Sequence, residues 1–179
     1  MADRRERVER PSLEAVRSAG EPLVESSLAS PPADSVEIDS VTGLPHLSYL
    51  VERIQELQDE AREQRGPRRV VLPGHVLLVV SIAGGEDRHA ALFLRARTAS
   101  LLRAIFSGDE TIALLRHGLF GVLAADRRDL AADREFLTAM LEDFDVRARV
   151  WVERIPADGP GTASLLSTLL LAGDWDSDE

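Results

Sequence analysis

The stretch Thr111–Ala124, Thr-Ile-Ala-Leu-Leu-Arg-His-Gly-Leu-Phe-Gly-Val-Leu-Ala, restricts the fold of this chain more than any other. Two apolar runs, Ile112 to Leu115 and Leu119 to Ala124, flank Arg116, His117 and Gly118. Two runs of strand length joined by a short break containing Gly read as a β-hairpin. Its tip carries the only unusual chemistry in the middle of the chain. The functional question is therefore whether that tip is a working active site.

Composition narrows the answers. A chain of 179 residues is long enough for one domain with a real core. The net charge of −10 argues against a general nucleic-acid binder, which needs a positive face for phosphate. There is no Cys, hence no disulfide, thiolate metal site or Cys nucleophile. There is no Lys, which removes Schiff-base chemistry and a Walker-type phosphate Lys. No apolar run reaches the length of a membrane span, and Met1–Arg7 lacks the apolar core of a signal peptide. The expected location is the cytoplasm.

In chain order, residues 1–37 read as a flexible or partly helical leader, with a short helix at Ser12–Ser18 and breaks at Pro22 and Pro31-Pro32. Asp39-Ser-Val-Thr-Gly-Leu-Pro-His is turn-rich. Leu47, Leu50, Val51, Ile54, Leu57 and Ala61 then recur at helical spacing, and this helix ends near Gly66-Pro67. His75–Ala83 is a continuous apolar run, expected as a buried central strand. Ala90–Phe106 reads as a helix with Arg95, Arg97 and Arg103 on its polar side, and Asp87-Arg-His89 as its start. After the hairpin, Leu130–Phe144 is helical through Leu130, Phe136, Leu137, Met140 and Leu141. Val146–Ile155 alternates like a strand with one wet face, and Thr162–Leu171 is a short apolar helix. Residues 173–179 form an acidic tail around Trp175, an aromatic flanked by acids of the kind that anchors docking motifs. The alternation implies one sheet with helices packed on it.

Two stretches resemble a GGDEF domain, the diguanylate cyclase family. Asp39-Ser-Val-Thr-Gly-Leu-Pro-His resembles the family's opening motif Asp-x-Leu-Thr-Gly-Leu-Pro-Asn-Arg. Glu110-Thr-Ile-Ala-Leu-Leu-Arg-His-Gly-Leu-Phe-Gly-Val-Leu resembles Asp-Thr-Ile-Ala-Arg-Leu-Gly-Gly-Asp-Glu-Phe-Ala-Val-Leu. The resemblance spans residues 38–172. It implies an α+β fold, with a mostly antiparallel sheet of about five strands flanked by helices, related to nucleotidyl cyclases. It also implies a reaction in which two GTP molecules condense to cyclic di-GMP with the help of divalent metals.

Position by position, the resemblance implies that this chemistry has been lost. The signature falls on Arg116, His117, Gly118, Leu119 and Phe120, of which Phe120 alone keeps its place in the pattern. The metal-binding Asp of the first strand falls on Ser81, its second Asp on Ala83, and the phosphate-contacting Lys on Glu86. Guanine-reading positions fall near His89 and Thr98-Ala99, and the inhibitory Arg-x-x-Asp motif on Ser107-Gly-Asp-Glu110. Mg²⁺ needs hard oxygen ligands, commonly carboxylates, and these positions supply none. The expectation is a degenerate GGDEF module with no catalytic residues, no metal and no cofactor. It would act through a protein partner in bacterial signalling, with Arg116, His117 and Trp175 as contact candidates. The alternative is a receptor for GTP or cyclic di-GMP through Arg116, Arg103 or Arg95. An active cyclase ranks last. Neither nucleic acid nor a membrane span is expected, and a homodimer, a monomer and a heteromer all stay open.

Overall fold

The structure is a computed structural model that describes residues 36–65, 71–84 and 87–172. The leader up to residue 35, Glu86 and the acidic tail with Trp175 lie outside the described residues.

Strand β1 (Val71–Ile82) is the centre of the sheet. Its run Val76–Val80 is buried on both faces, which explains why the sequence shows no alternation there. β1 pairs antiparallel with β3 (Leu119–Ala125) on one side, from His75↔Ala125 to Ser81↔Leu119. On the other side it pairs antiparallel with β4 (Ala148–Pro156), from Val76↔Arg154 to Ile82↔Ala148. β2 (Thr111–Arg116) pairs with β3 as the expected hairpin, giving the order β2-β3-β1-β4. Among the described residues the sheet has four strands, where about five were expected. At the β2 edge the chain makes only isolated bridges, where Leu114 N–H donates to Pro45 O (2.9 Å) and His46 sits beside Leu114 in a parallel sense. Pro45 has no N–H with which to extend the contact into a ladder.

Side-chain period decides which helix covers which face. Val76, Leu78 and Val80 point to one face, where α2 (Arg88–Ile105) and α3 (Leu130–Asp143) cover them through Ala99, Leu102, Leu137 and Leu141. Leu77 and Val79 point to the other, under Leu50 and Ile54 of α1 (Leu47–Arg65) and Leu166 and Leu169 of α4 (Gly159–Ala172). Each such side chain, taken out of water, stabilises the fold by about 1.5–3 kcal/mol before entropy is charged against it. α1 comes close because Gly121 on β3 has no side chain. A Cβ there would stand 3.2 Å from Leu115, Leu50 and Leu77.

Other expectations are corrected at the level of single residues. β1 begins at Val71, ahead of His75, because a register shift between Val71 and Val76 absorbs Pro73-Gly74. Val146 is buried but precedes the strand. Phe136 does not join the apolar side of α3; it is 57% exposed, as Phe93 of α2 is at 60%. Arg95 does not lie on the wet side of α2 and is buried. The start of α2 is as read: the Asp87 carboxylate caps it by accepting from Ala90 N–H at 2.8 Å. Among the described residues no helix is long and apolar enough to cross a membrane.

Candidate functional site

The hairpin turns at His117-Gly118, between Arg116 of β2 and Leu119 of β3. Gly118 has φ +78°, a left-handed conformation that costs a residue with a side chain about 1 kcal/mol or more. There is also no room for such a side chain, since a Cβ at Gly118 would stand 3.0 Å from Ile82 O. Ile82 N–H donates to Gly118 O at 2.8 Å, so the tip is tied to the last residue of β1. One residue on, Ala83 N–H donates to Arg147 O at 2.8 Å. The end of β1 is thus held between the hairpin tip and the turn that precedes β4.

Three of the residues singled out in the sequence meet here. Ser81 is buried and pairs in register with Leu119. Leu119 is 1% exposed and packs with Leu50, Leu77 and Leu115. Phe120 is fully buried on the opposite face with Val80 and Leu114. Arg116 is half-buried and His117 exposed at the tip. The side chains at the tip and at the end of β1 are therefore a hydroxyl, hydrocarbon, a guanidinium and an imidazole. Among the described residues no group of three His, Asp or Glu side chains is placed to share a metal ion.

The other arginines proposed from sequence as nucleotide contacts are already engaged. Arg95 Nη2 donates to Asp39 Oδ1 at 3.1 Å, and Arg103 Nη2 to Thr42 O at 2.7 Å. Both clamp the turn Asp39–Leu44 onto α2. The turn also supports itself: Asp39 Oδ2 accepts from Thr42 N–H and from the Thr42 hydroxyl, both at 2.7 Å, and Gly43 N–H donates to Asp39 O at 2.7 Å. Burial pushes the Asp39 carboxyl up. The Thr42 hydrogen bonds and the Arg95 charge together outweigh it and hold the pKa below the ordinary carboxylate value. This clamp was invisible in sequence, because Asp39 and Arg95 are 56 positions apart. Thr98, near the expected guanine-reading positions, is 1% exposed within α2, whereas His89 is exposed at its start.

A cleft of ≈ 420 Å³ lies at the other end of β1, lined by Arg53, His75, Asp109, Glu110, Leu123 and Arg127 among others. It adjoins Ser107–Glu110. Its cation Arg127 stands between Glu110 Oε1 (3.1 Å) and Asp133 Oδ2 (3.0 Å). Glu110 also accepts from Gly108 N–H at 3.0 Å. Local carboxylates therefore already balance the charge there.

No protein-family model matches the sequence, and no curated protein does. Solved structures do match. The isolated GGDEF domain of TpbB (YfiN) from Pseudomonas aeruginosa superposes with TM-score 0.55 at 17% identity, over 79% of this chain and 90% of that one. The GGDEF domain of FimX from the same organism gives TM-score 0.58 at 14% identity, over 78% and 94%. The diguanylate cyclase SiaD, also from P. aeruginosa and solved with its activator SiaC, gives TM-score 0.55 at 16% identity, over 78% of this chain and 58% of that one. The four-stranded antiparallel sheet, its two helical layers and these superpositions agree that the described residues adopt the GGDEF-domain fold.

Proposed function

We propose that this domain performs no cyclase chemistry and works as a regulatory or scaffold module through protein contacts in cyclic di-GMP signalling. One observation carries the reading. The position that the resemblance gives to the signature glutamate is Leu119, sunk in the core opposite Ser81. Condensing two GTP molecules needs divalent metal held by hard oxygens and compensation for triphosphate charge. A buried leucine, a glycine and a neutral hydroxyl supply neither. The SiaD–SiaC complex supports the second half of the reading, since there a GGDEF protein takes a protein activator.

The test is incubation of the full chain with GTP and Mg²⁺ or Mn²⁺. No cyclic di-GMP is expected, and turnover above a protein-free blank overturns the reading. Calorimetry with GTP and with cyclic di-GMP separates a scaffold from a receptor. No heat is expected. Micromolar binding that disappears in Arg116→Ala would assign the tip to a nucleotide instead.

A further inference from the structure

β1 occupies one edge of β4, in the register Ile82↔Ala148 to Val76↔Arg154. β4 ends the sheet, and among the described residues no strand pairs with its other edge. A strand whose outer edge no other strand pairs with among the described residues is a template for another strand, and such edges are commonly guarded by charges that repel. The charges of β4 do not repel across a two-fold axis. We propose that β4 is self-complementary and joins two copies of this chain antiparallel, about an axis at Trp151.

The sequence of β4 is Ala-Arg-Val-Trp-Val-Glu-Arg-Ile-Pro. Positions equidistant from Trp151 oppose each other in such a pair. Arg149 of each copy then faces Glu153 of the other, twice. Val150 faces Val152, also twice, and Trp151 faces Trp151. The two-residue period puts Arg149, Trp151 and Glu153 on one face and the valines on the other, so each face is matched with itself.

The alternatives are worse. A parallel in-register pair sets Arg149 on Arg149 and Glu153 on Glu153. An antiparallel pair shifted by one residue sets Arg149 on Arg154 and mixes the two faces. Of these three arrangements, the axis at Trp151 is the one that matches Arg149 with Glu153 and valine with valine together.

The side chains are already arranged for it. Trp151 Nε1 donates to Glu153 Oε1 at 3.0 Å, and the Arg149 guanidinium stands 5.4 Å from the Trp151 ring centre. The indole therefore holds the acid and the base on the same face, on either side of the axis. On the other face Val152 is 37% exposed, an apolar side chain that the single chain leaves partly in water and that Val150 of a second copy would meet. This goes beyond the proposed loss of cyclase chemistry and does not depend on it. Association is read by sedimentation and turnover by product formation, so either can fail alone.

Sedimentation equilibrium of the full chain over a wide concentration series tests the proposal. The wild-type chain is expected to form a dimer. Arg149→Glu leaves only acids at these positions and Glu153→Arg leaves only bases, so each variant alone is expected to associate at least about tenfold more weakly. An equimolar mixture of the two restores opposite charges at both contacts and is expected to dimerise. That recovery also shows that both variants are folded. A wild-type chain that stays monomeric at the highest concentration reached overturns the proposal. So does a dimer indifferent to both substitutions, or a mixture no more associated than its components.

Discussion

Arg95 of α2 and Asp39 of the turn before α1 form an ion pair, Nη2 to Oδ1 at 3.1 Å, with only 9% and 12% of their side chains exposed. The pair joins residues that no local pattern connects. It stands where water cannot replace a lost partner, and together with the hydrogen bond from Arg103 to Thr42 O it holds the turn on the helix.

Removing one partner leaves the other charge poorly solvated. Asp39→Ala also strips the Thr42 N–H and hydroxyl of their acceptor. Asp39→Ala is expected to lower unfolding free energy by about 2–4 kcal/mol, and Arg95→Met by less, because Met refills the apolar part of the space. Urea denaturation of both single variants and the double variant checks this. The double variant should cost clearly less than the sum of the singles.

The same pair sets a pH dependence. The folded pKa of Asp39 lies below its unfolded value, so the unfolded chain binds the proton more readily. The stabilisation is complete above the unfolded value of about 3.9 and is lost as pH falls through the lower folded value. The stability difference between wild type and Asp39→Asn should therefore be constant near neutrality and shrink in acid. Urea midpoints measured from neutral to acidic pH follow it, and a gap that widens in acid contradicts the assigned direction.

At the hairpin tip, Gly118→Ala adds a Cβ in left-handed backbone against Ile82 O. A loss of about 1–3 kcal/mol is expected. The Ile82 amide, which donates to Gly118 O, should exchange faster with solvent than amides farther down β1. Hydrogen exchange by NMR separates that local effect from global loss.

Gln58 is 2% exposed on α1. Its Nε2 donates to Pro156 O at 2.7 Å and to the Thr162 hydroxyl at 2.8 Å, so it joins α1 to the end of β4 and to α4. Thr162 in turn donates to Asp158 O at 3.1 Å, which satisfies the hydroxyl in both roles. Gln58→Leu keeps the volume and orphans a carbonyl, and is expected to cost about 1–3 kcal/mol in thermal or chemical unfolding. Gln58→Glu should cost more at neutral pH than at acidic pH, because the ionised acid has no proton to donate to Pro156 O.

Most of the fold was readable because burial leaves a period. Leu50, Ile54 and their neighbours mark α1, the unbroken run at Val76–Val80 marks a strand covered on both faces, and the apolar frames around Arg116-His117-Gly118 mark the hairpin. Residues whose environment is made by distant chain were not readable. Arg95 looks like a surface residue until Asp39 arrives to pair with it, and Gln58 looks polar until Pro156 and Thr162 close over it. Phe93 and Phe136 look like core residues and face solvent, because Ala99, Leu102, Leu137 and Leu141 already fill the space beneath α2 and α3. At the site, the residue types that surround the end of β1 were legible in advance. The Gly118–Ile82 tie was not, because it depends on register.

The central place of β1 has a consequence during synthesis. Its partners come late: β3 begins at Leu119, and β4 only at Ala148. Until β4 has left the ribosome, the run Leu77-Leu-Val-Val-Ser-Ile82 has one edge uncovered, and its apolar face lacks α4. Such a segment combines high β-propensity with no charge, which is the chemistry of strand-to-strand aggregation. A chain stalled or truncated before residue 148 should therefore be captured by chaperones or precipitate, and β4 with α4 acts as the shield for the middle of the sequence.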